Sequence, residues 1–247
     1  GLATAALEPL APAILARRVR RGKEDAARVA ERLGHASVAR PAGNLVWLHG
    51  VSVGESLSLL PLIERIRAET PATTILVTSG TVTAAALLAK RLPAGIIHQF
   101  APVDGPRTVA RFLDHWKPNA ALFAESELWP NLILGAKAHS VKLALVSARI
   151  TEHSAKGWAA RPAAARTLLG AFDLILPQDR ASAARLKALG AAVGPALNLK
   201  YVGAALTADE AQLSMLKAAI GGRKVVLAAS THPGEEALIA QAVPSGA

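Results

Sequence analysis

Six short apolar runs separated by longer amphipathic segments constrain this chain more than any other feature. The runs are Leu45 to His49, Thr74 to Thr78, Ile96 to Phe100, Ala120 to Ala124, Leu143 to Val146 and Leu174 to Leu176. Each is too short for a buried helix and reads as a strand covered on both faces. Between them, Ser56 to Ala68 carries Leu59, Leu60, Leu62, Ile63 and Ile66 on one side. Val82 to Arg91, Arg107 to Trp116, Leu132 to His139 and Ala181 to Leu189 behave in the same way. Repeated β-α units with right-handed crossovers predict an α/β fold, a Rossmann-like parallel sheet between two helix layers.

Composition narrows the chemistry. Apolar residues make up 51% and charged ones 19%, which is enough apolar surface to offset the entropy of ordering and excludes disorder. Aromatics supply only 4%, so the expected core is aliphatic. With no cysteine, thiol catalysis, disulfides and Cys-ligated zinc are excluded, and a reducing compartment fits. No histidine spacing suggests a metal, and no metal or cofactor is expected. A net charge of +10 predicts an anionic partner, either nucleic acid, a phosphorylated small molecule or an acidic membrane surface. The nucleic-acid reading rests on charge alone, without interleaved aromatics or a recognition motif.

The only methionine is Met215, so the natural start codon is not expected within this sequence. Residues 1–40 read as a basic, membrane-proximal helical segment ending at the linker Arg40 to Gly43. Glu8, Pro9 and Pro12 interrupt its apolar stretch, which is too short to span a bilayer. Arg17, Arg18, Arg20, Arg21 and Lys23 follow at once, either as the cytoplasmic flank of a membrane-associated helix or as a solvated basic face.

In open parallel sheets, ligands bind beyond the carboxyl ends of the strands. The loop after the first strand reads Gly50-Val51-Ser52-Val53-Gly54-Glu55-Ser56. Its glycines match neither the dinucleotide fingerprint nor the Walker loop. Glu55, at a helix start, is either a capping carboxylate or a base able to take a hydroxyl proton. The loop after the fourth strand, Glu125-Ser126-Glu127-Leu128-Trp129-Pro130-Asn131, offers two carboxylates that either cap a helix or orient sugar hydroxyls. The loop from Thr78 to Thr83 suits a phosphate, a sugar or ordinary capping. His49 reads as a satisfied buried histidine rather than a catalyst. Beyond Gly221-Gly222, Lys224 to Ala229 reads as a strand leading into Ser230-Thr231-His232-Pro233-Gly234-Glu235-Glu236. One β-α unit cannot cover its own apolar faces, so a second Rossmann-like domain is expected to open near residue 223 and to be incomplete here.

Taken in order and spacing, Gly50 to Glu55, Glu125 to Leu132, Ser147-Ala148-Arg149-Ile150, Gly157-Trp158, Asn198-Leu199-Lys200-Tyr201 and Ser230 to Glu236 strongly resemble 3-deoxy-D-manno-octulosonic acid (Kdo) transferases. The resemblance implies a GT-B glycosyltransferase that moves Kdo from CMP-Kdo to a lipid A precursor, lipid IVA, in lipopolysaccharide core biosynthesis. It implies an inverting single displacement with Glu55 as general base. Gly54, Ser56, Glu125 and Glu127 fall on the acceptor side, and Ser230, Thr231, His232, Gly234 and Glu235 on the donor side. The implied domains are an acceptor-side lobe over residues 41–200, a linker over 201–222 and the start of a donor-binding domain over 223–247. The family's Arg-His-Pro and Asn-Pro-x-Glu words do not occur, and Leu197 and Val202 stand where it has glycine and an acidic residue. The chain alone is therefore expected to be inactive, with a non-catalytic lobe binding anionic lipid A or the membrane surface as the alternative reading. The implied location is the cytoplasmic face of the bacterial inner membrane.

Overall fold

The computed structural model describes residues 2–202 and 208–243, the side chains from residue 4 onward. Six strands, β1 (Leu45–His49), β2 (Thr74–Ser79), β3 (Ile97–Phe100), β4 (Ala120–Ala124), β5 (Lys142–Ala148) and β6 (Leu174–Pro177), form one sheet in the order β3-β2-β1-β4-β5-β6. Every pairing is parallel, with Leu45 opposite Thr74 and Val46 opposite Ala120. The order reverses between β1 and β4, and the crevice there lies beyond His49 and Ala124.

Side chains alternate between the sheet's two faces. Leu45 and Trp47 point into one core with Phe112, Trp116, Phe123 and Leu145, and Leu48 points into the other with Leu59, Ile63, Val77 and Leu88. The first core corrects the expectation of a purely aliphatic interior. Trp47 lies 5.0 Å from Phe112 and 5.2 Å from Phe123 by ring centroids, and Trp116 is fully buried beside them. Five of the nine aromatics, Trp47, Phe112, Trp116, Phe123 and Phe172, share this one cluster, so a chain-wide average hides them.

The segment expected as one helix from Ser56 is two, Val53–Ser58 and Leu60–Glu69, because Pro61 starts a new first turn. Helices Glu152–Ala159 and Pro162–Leu169 add to the expected set. The N-terminal segment folds as Leu2–Leu7, a single 3-10 turn over Glu8–Leu10, and Ala11–Arg20, burying Ala11 and Leu15. Glu8 anchors it by accepting from the backbone N–H groups of Arg107 and Thr108, at 3.1 and 2.6 Å, at the start of helix Pro106–Trp116. A Cβ at Gly105 would sit 2.5 Å from Glu8 Oε1, so a larger residue there would displace this carboxylate. No helix among the described residues is long and apolar enough to cross a membrane.

Residues 1–203 form one compact unit and 204–247 a second. In the second, helix Glu210–Ile220 is capped by Asp209, and helix Glu235–Ala242 follows an irregular stretch. The strand expected over Lys224 to Ala229 is not formed, and Val225, Val226 and Leu227 are exposed. A parallel strand exists only when a neighbour takes its hydrogen bonds, and no described residue does so. Part of the expected linker, residues 203–207, and residues 244–247 lie outside the described residues.

Candidate active site

Three adjacent strand ends build the site. At the end of β1, Ser52 is the N-cap of helix Val53–Ser58, and Glu55 closes a reciprocal capping box with it. One Glu55 oxygen accepts from the Val51 N–H at 2.7 Å, and the other from the Ser52 hydroxyl at 2.8 Å. The carboxylate is half-buried and held in one orientation by its own loop. Gly50 permits this turn, because a Cβ there would lie 3.1 Å from Glu55 Cβ. Gly54 is exposed, and a Cβ on it would meet nothing within 4 Å, so the loop is open on that side. Ser56, also expected on the acceptor side, is fully buried, with its hydroxyl toward the Gly50 carbonyl at 3.5 Å, because it sits on the helix face turned to the core.

From the end of β4, Glu127 comes up beside Glu55. Burial is the main reason its carboxyl is pushed up to about 7, and the nearby Glu55 and Glu125 push the same way. Trp129 Nε1 donates to Glu127 Oε2 and opposes the shift. Below about pH 7 Glu127 therefore carries a proton, which keeps two full negative charges from facing one another.

His49 lies beneath this pair. Its Nδ1 is 2.8 Å from Thr78 Oγ1, which also accepts from Trp47 Nε1 at 2.8 Å. Its Nε2 has no hydrogen-bond partner among the described residues, with Glu127 Oε2 at 4.0 Å. Burial, reinforced by the Arg32 charge, drives His49 down to about 3, so the ring is neutral and the Glu127 contact is not an ion pair. The expected satisfied histidine is thus satisfied on one side only.

Glu125 occupies a different place. It is buried in the left-handed region at φ 56°, and Lys200 Nζ pairs with it at 2.7 Å. At the neighbouring strand end, Ser147 is also left-handed at φ 51°, and its hydroxyl accepts from the Leu199 N–H at 2.8 Å. These conformations cost about 1–2 kcal/mol each, and the Asn198-Leu199-Lys200 segment fastens onto both. Sequence reasoning gave Lys200 no role; the only signal was that its tetrapeptide and the Glu125 loop both carry the family resemblance.

The remaining named residues belong to the second unit. There the His232 N–H donates to Glu235 Oε2 at 2.9 Å, Thr231 donates to Glu236 at 2.6 Å, Gly234 has φ 98° and Ser230 has φ 57°. No group of His, Cys, Asp and Glu among the described residues is arranged to hold a metal ion.

Residues 27–202 match the family model described as 3-Deoxy-D-manno-octulosonic-acid transferase (kdotransferase). The chain belongs to the Kdo transferase family. It is 38% identical to the 3-deoxy-D-manno-octulosonic acid transferase of Rickettsia felis over 80% of this chain and 43% of that protein. The Bordetella pertussis enzyme of the same name is 35% identical over 98% of this chain and 59% of its own length. The chain spans about half the length of the curated relatives it matches. Among solved structures, a Staphylococcus aureus MnaA–UDP co-structure aligns with a TM-score of 0.48 at 13% identity, over 71% of this chain and 52% of that one. Kdo transferases are glycosyltransferases, and the Glu55, Glu125 and Lys200 loops all lie within the matched residues.

Proposed function

We propose that this chain supplies the acceptor-side lobe of a GT-B transferase that moves Kdo from CMP-Kdo to a lipid A precursor, lipid IVA. The observation that carries the reading is the Glu55 and Glu127 pair at the carboxyl ends of the two central strands. Glu55 takes the proton of the acceptor hydroxyl. The oxygen attacks the anomeric carbon of Kdo, the bond from that carbon to the phosphate oxygen breaks, and CMP leaves with the electron pair, inverting the centre. Glu127 positions Glu55 from one side, and the capping box holds it from the other. Ser56 fastens the loop from behind, and Gly54 leaves it open to the acceptor. Glu125 with Lys200 braces the next loop.

The donor would be held by Ser230, Thr231, His232, Gly234 and Glu235, with residue 223 onward opening the nucleotide-binding domain. The N-terminal helices favour work at an anionic membrane surface, on the cytoplasmic face of the inner membrane. Leu7, Leu10 and Ile14 are exposed on them, and the run from Arg17 to Lys23 follows. That stripe also supports a second reading, in which this lobe binds the anionic surface without catalysing.

The test joins this lobe to the remaining half of the Bordetella pertussis enzyme and measures Kdo transfer to lipid IVA. Glu55→Gln should lower kcat by ~100-fold or more with little change in acceptor KM, since only proton removal is lost. Turnover within a few-fold of the parent hybrid would remove Glu55 as the base.

A further inference from the structure

The polar contacts beneath the carboxylate pair have a direction. Trp47 Nε1 can only donate, and it donates to Thr78 Oγ1 at 2.8 Å. Thr78 is wholly buried, and the one other group its hydroxyl meets among the described residues is His49 Nδ1, at 2.8 Å. Having accepted from Trp47, the hydroxyl must place its own hydrogen, and His49 Nδ1 is the acceptor within reach. The opposite arrangement, with the ring hydrogen on Nδ1, would strand the Thr78 hydroxyl hydrogen in the core without a partner. His49 is neutral, so its single ring hydrogen is on Nε2.

That nitrogen is buried and unpartnered among the described residues, and Glu127 Oε2 lies 4.0 Å away. Oε2 already accepts from Trp129 Nε1. An oxygen facing two donors is the poorer place for the carboxyl proton, which leaves Oε1 to carry it. A hydrogen bond with Glu55 is among the causes that raise the Glu127 carboxyl, and two carboxyl groups can share one only with a proton between them. We propose that His49 is a positioning residue for the base, donating from Nε2 to Glu127 Oε2 and so fixing the Glu127 proton on Oε1, where it is donated to Glu55. Trp47, Thr78, His49, Glu127 and Glu55 then pass hydrogen bonds one way, from the core to the site. At 4.0 Å the His49 link is open in the free chain, and ~1 Å of movement in the loop from Glu125 to Trp129 closes it, as active-site contacts tighten when substrate binds. Glu55 is thereby fixed from two sides, by Val51 and Ser52 on its own loop and by Glu127 from the next. The role given to the chain rests on Glu55 being the base, as proposed above; its direction does not.

The direction is read in the full chain, without any substitution, by long-range nitrogen–proton NMR correlation on nitrogen-15-labelled histidine. His49 is identified by contacts of its ring protons with Trp47 and Phe123, whose ring centroids are 5.9 and 5.2 Å away. A neutral ring protonated on Nε2 is expected; a hydrogen on Nδ1 would overturn the proposal. The role is read in the hybrid enzyme. His49→Asn keeps an oxygen for the Thr78 hydroxyl and loses the donor at Nε2, whereas His49→Gln keeps a donor there. Asn should lower kcat by about tenfold with acceptor KM within about twofold, and Gln should recover most of the loss. Because the Nε2 hydrogen favours the ionised form of Glu127, the alkaline fall in kcat should move to higher pH in Asn and return in Gln. Arg32 is the cation acting on His49, and Glu55 and Glu125 are the carboxylates acting on Glu127; all three are the same in both variants. Equal losses in Asn and Gln, or an alkaline limb that does not move, would reduce His49 to packing. A hydrogen on Nε2 in a lobe whose hybrid transfers no Kdo would keep the direction of the chain and sink the transferase reading. A hydrogen on Nδ1 in a hybrid that transfers Kdo would do the reverse.

Discussion

Replacing Glu127 by Gln isolates the energetic cost of the carboxylate pair, and the result depends on pH in a direction fixed by the structure. The folded chain holds the Glu127 proton up to about pH 7, whereas an ordinary glutamate releases it near 4.5. Between those values the folded state binds a proton that the unfolded state has lost, so stability falls as pH rises through the window. At ~1.4 kcal/mol per pH unit the full effect is ~3 kcal/mol. With the side chain still 13% exposed, solvent screening reduces this to ~2 kcal/mol. Glutamine does not titrate, has nearly the same shape, and keeps an oxygen for Trp129 Nε1. All four tryptophans, Trp47, Trp116, Trp129 and Trp158, lie in the first unit, so their emission during urea unfolding reports on that unit alone. Glu127→Gln should gain ~2 kcal/mol relative to the parent between pH 5 and pH 8. A difference that stays flat within ~0.5 kcal/mol, or shrinks with pH, would refute the argument that Glu127 is forced to keep its proton.

Acid should act through the histidines: burial holds His49 down to about 3 and His98 to about 4, so their contribution is complete above pH 6.5 and is lost as pH falls toward those values. In the Glu127→Gln background, where that opposing carboxyl no longer titrates, urea midpoints that do not fall between pH 6.5 and pH 4 would contradict this. Lys200→Ala leaves buried Glu125 without its counter-ion and should cost ~1–2 kcal/mol in urea melts, less than for a fully buried pair because Lys200 is itself part-exposed. Lys200→Arg should recover most of the loss, and an equal loss in both would point to packing instead. Replacing Arg17, Arg20, Arg21 and Lys23 by Gln should weaken sedimentation with phosphatidylglycerol vesicles and flatten its salt dependence, and unchanged binding would remove the interfacial role of the segment.

The strands were legible because each is buried on both faces and so reads as an apolar run; Leu45–His49 and Ala120–Ala124 have their expected bounds. Helix Glu152–Ala159 was not legible because it fully buries none of its residues and sets only Ala155 and Trp158 against the core, too few to show as a stripe. The capping role of Glu55 could be read locally, since Ser52 and Glu55 stand at capping-box spacing. Its meeting with Glu127 could not, because it depends on β1 and β4 being neighbours at the point where strand order reverses. Periodicity says which face a strand buries and nothing about which strand lies beside it. Lys200 escaped for the same reason: its partner is on another loop, and an exposed lysine has no local mark of an ion pair.

The anchoring of Glu8 carries a consequence for synthesis on the ribosome. Its acceptors' partners, the N–H groups of Arg107 and Thr108, are encoded about 100 residues later. At ~5–20 residues per second, the nascent N-terminal segment waits ~5–20 seconds before its docking place is made. During that interval Glu8 has neither of the backbone N–H groups that anchor it. The order of the gene therefore sets when the N-terminal segment can dock at the start of helix Pro106–Trp116.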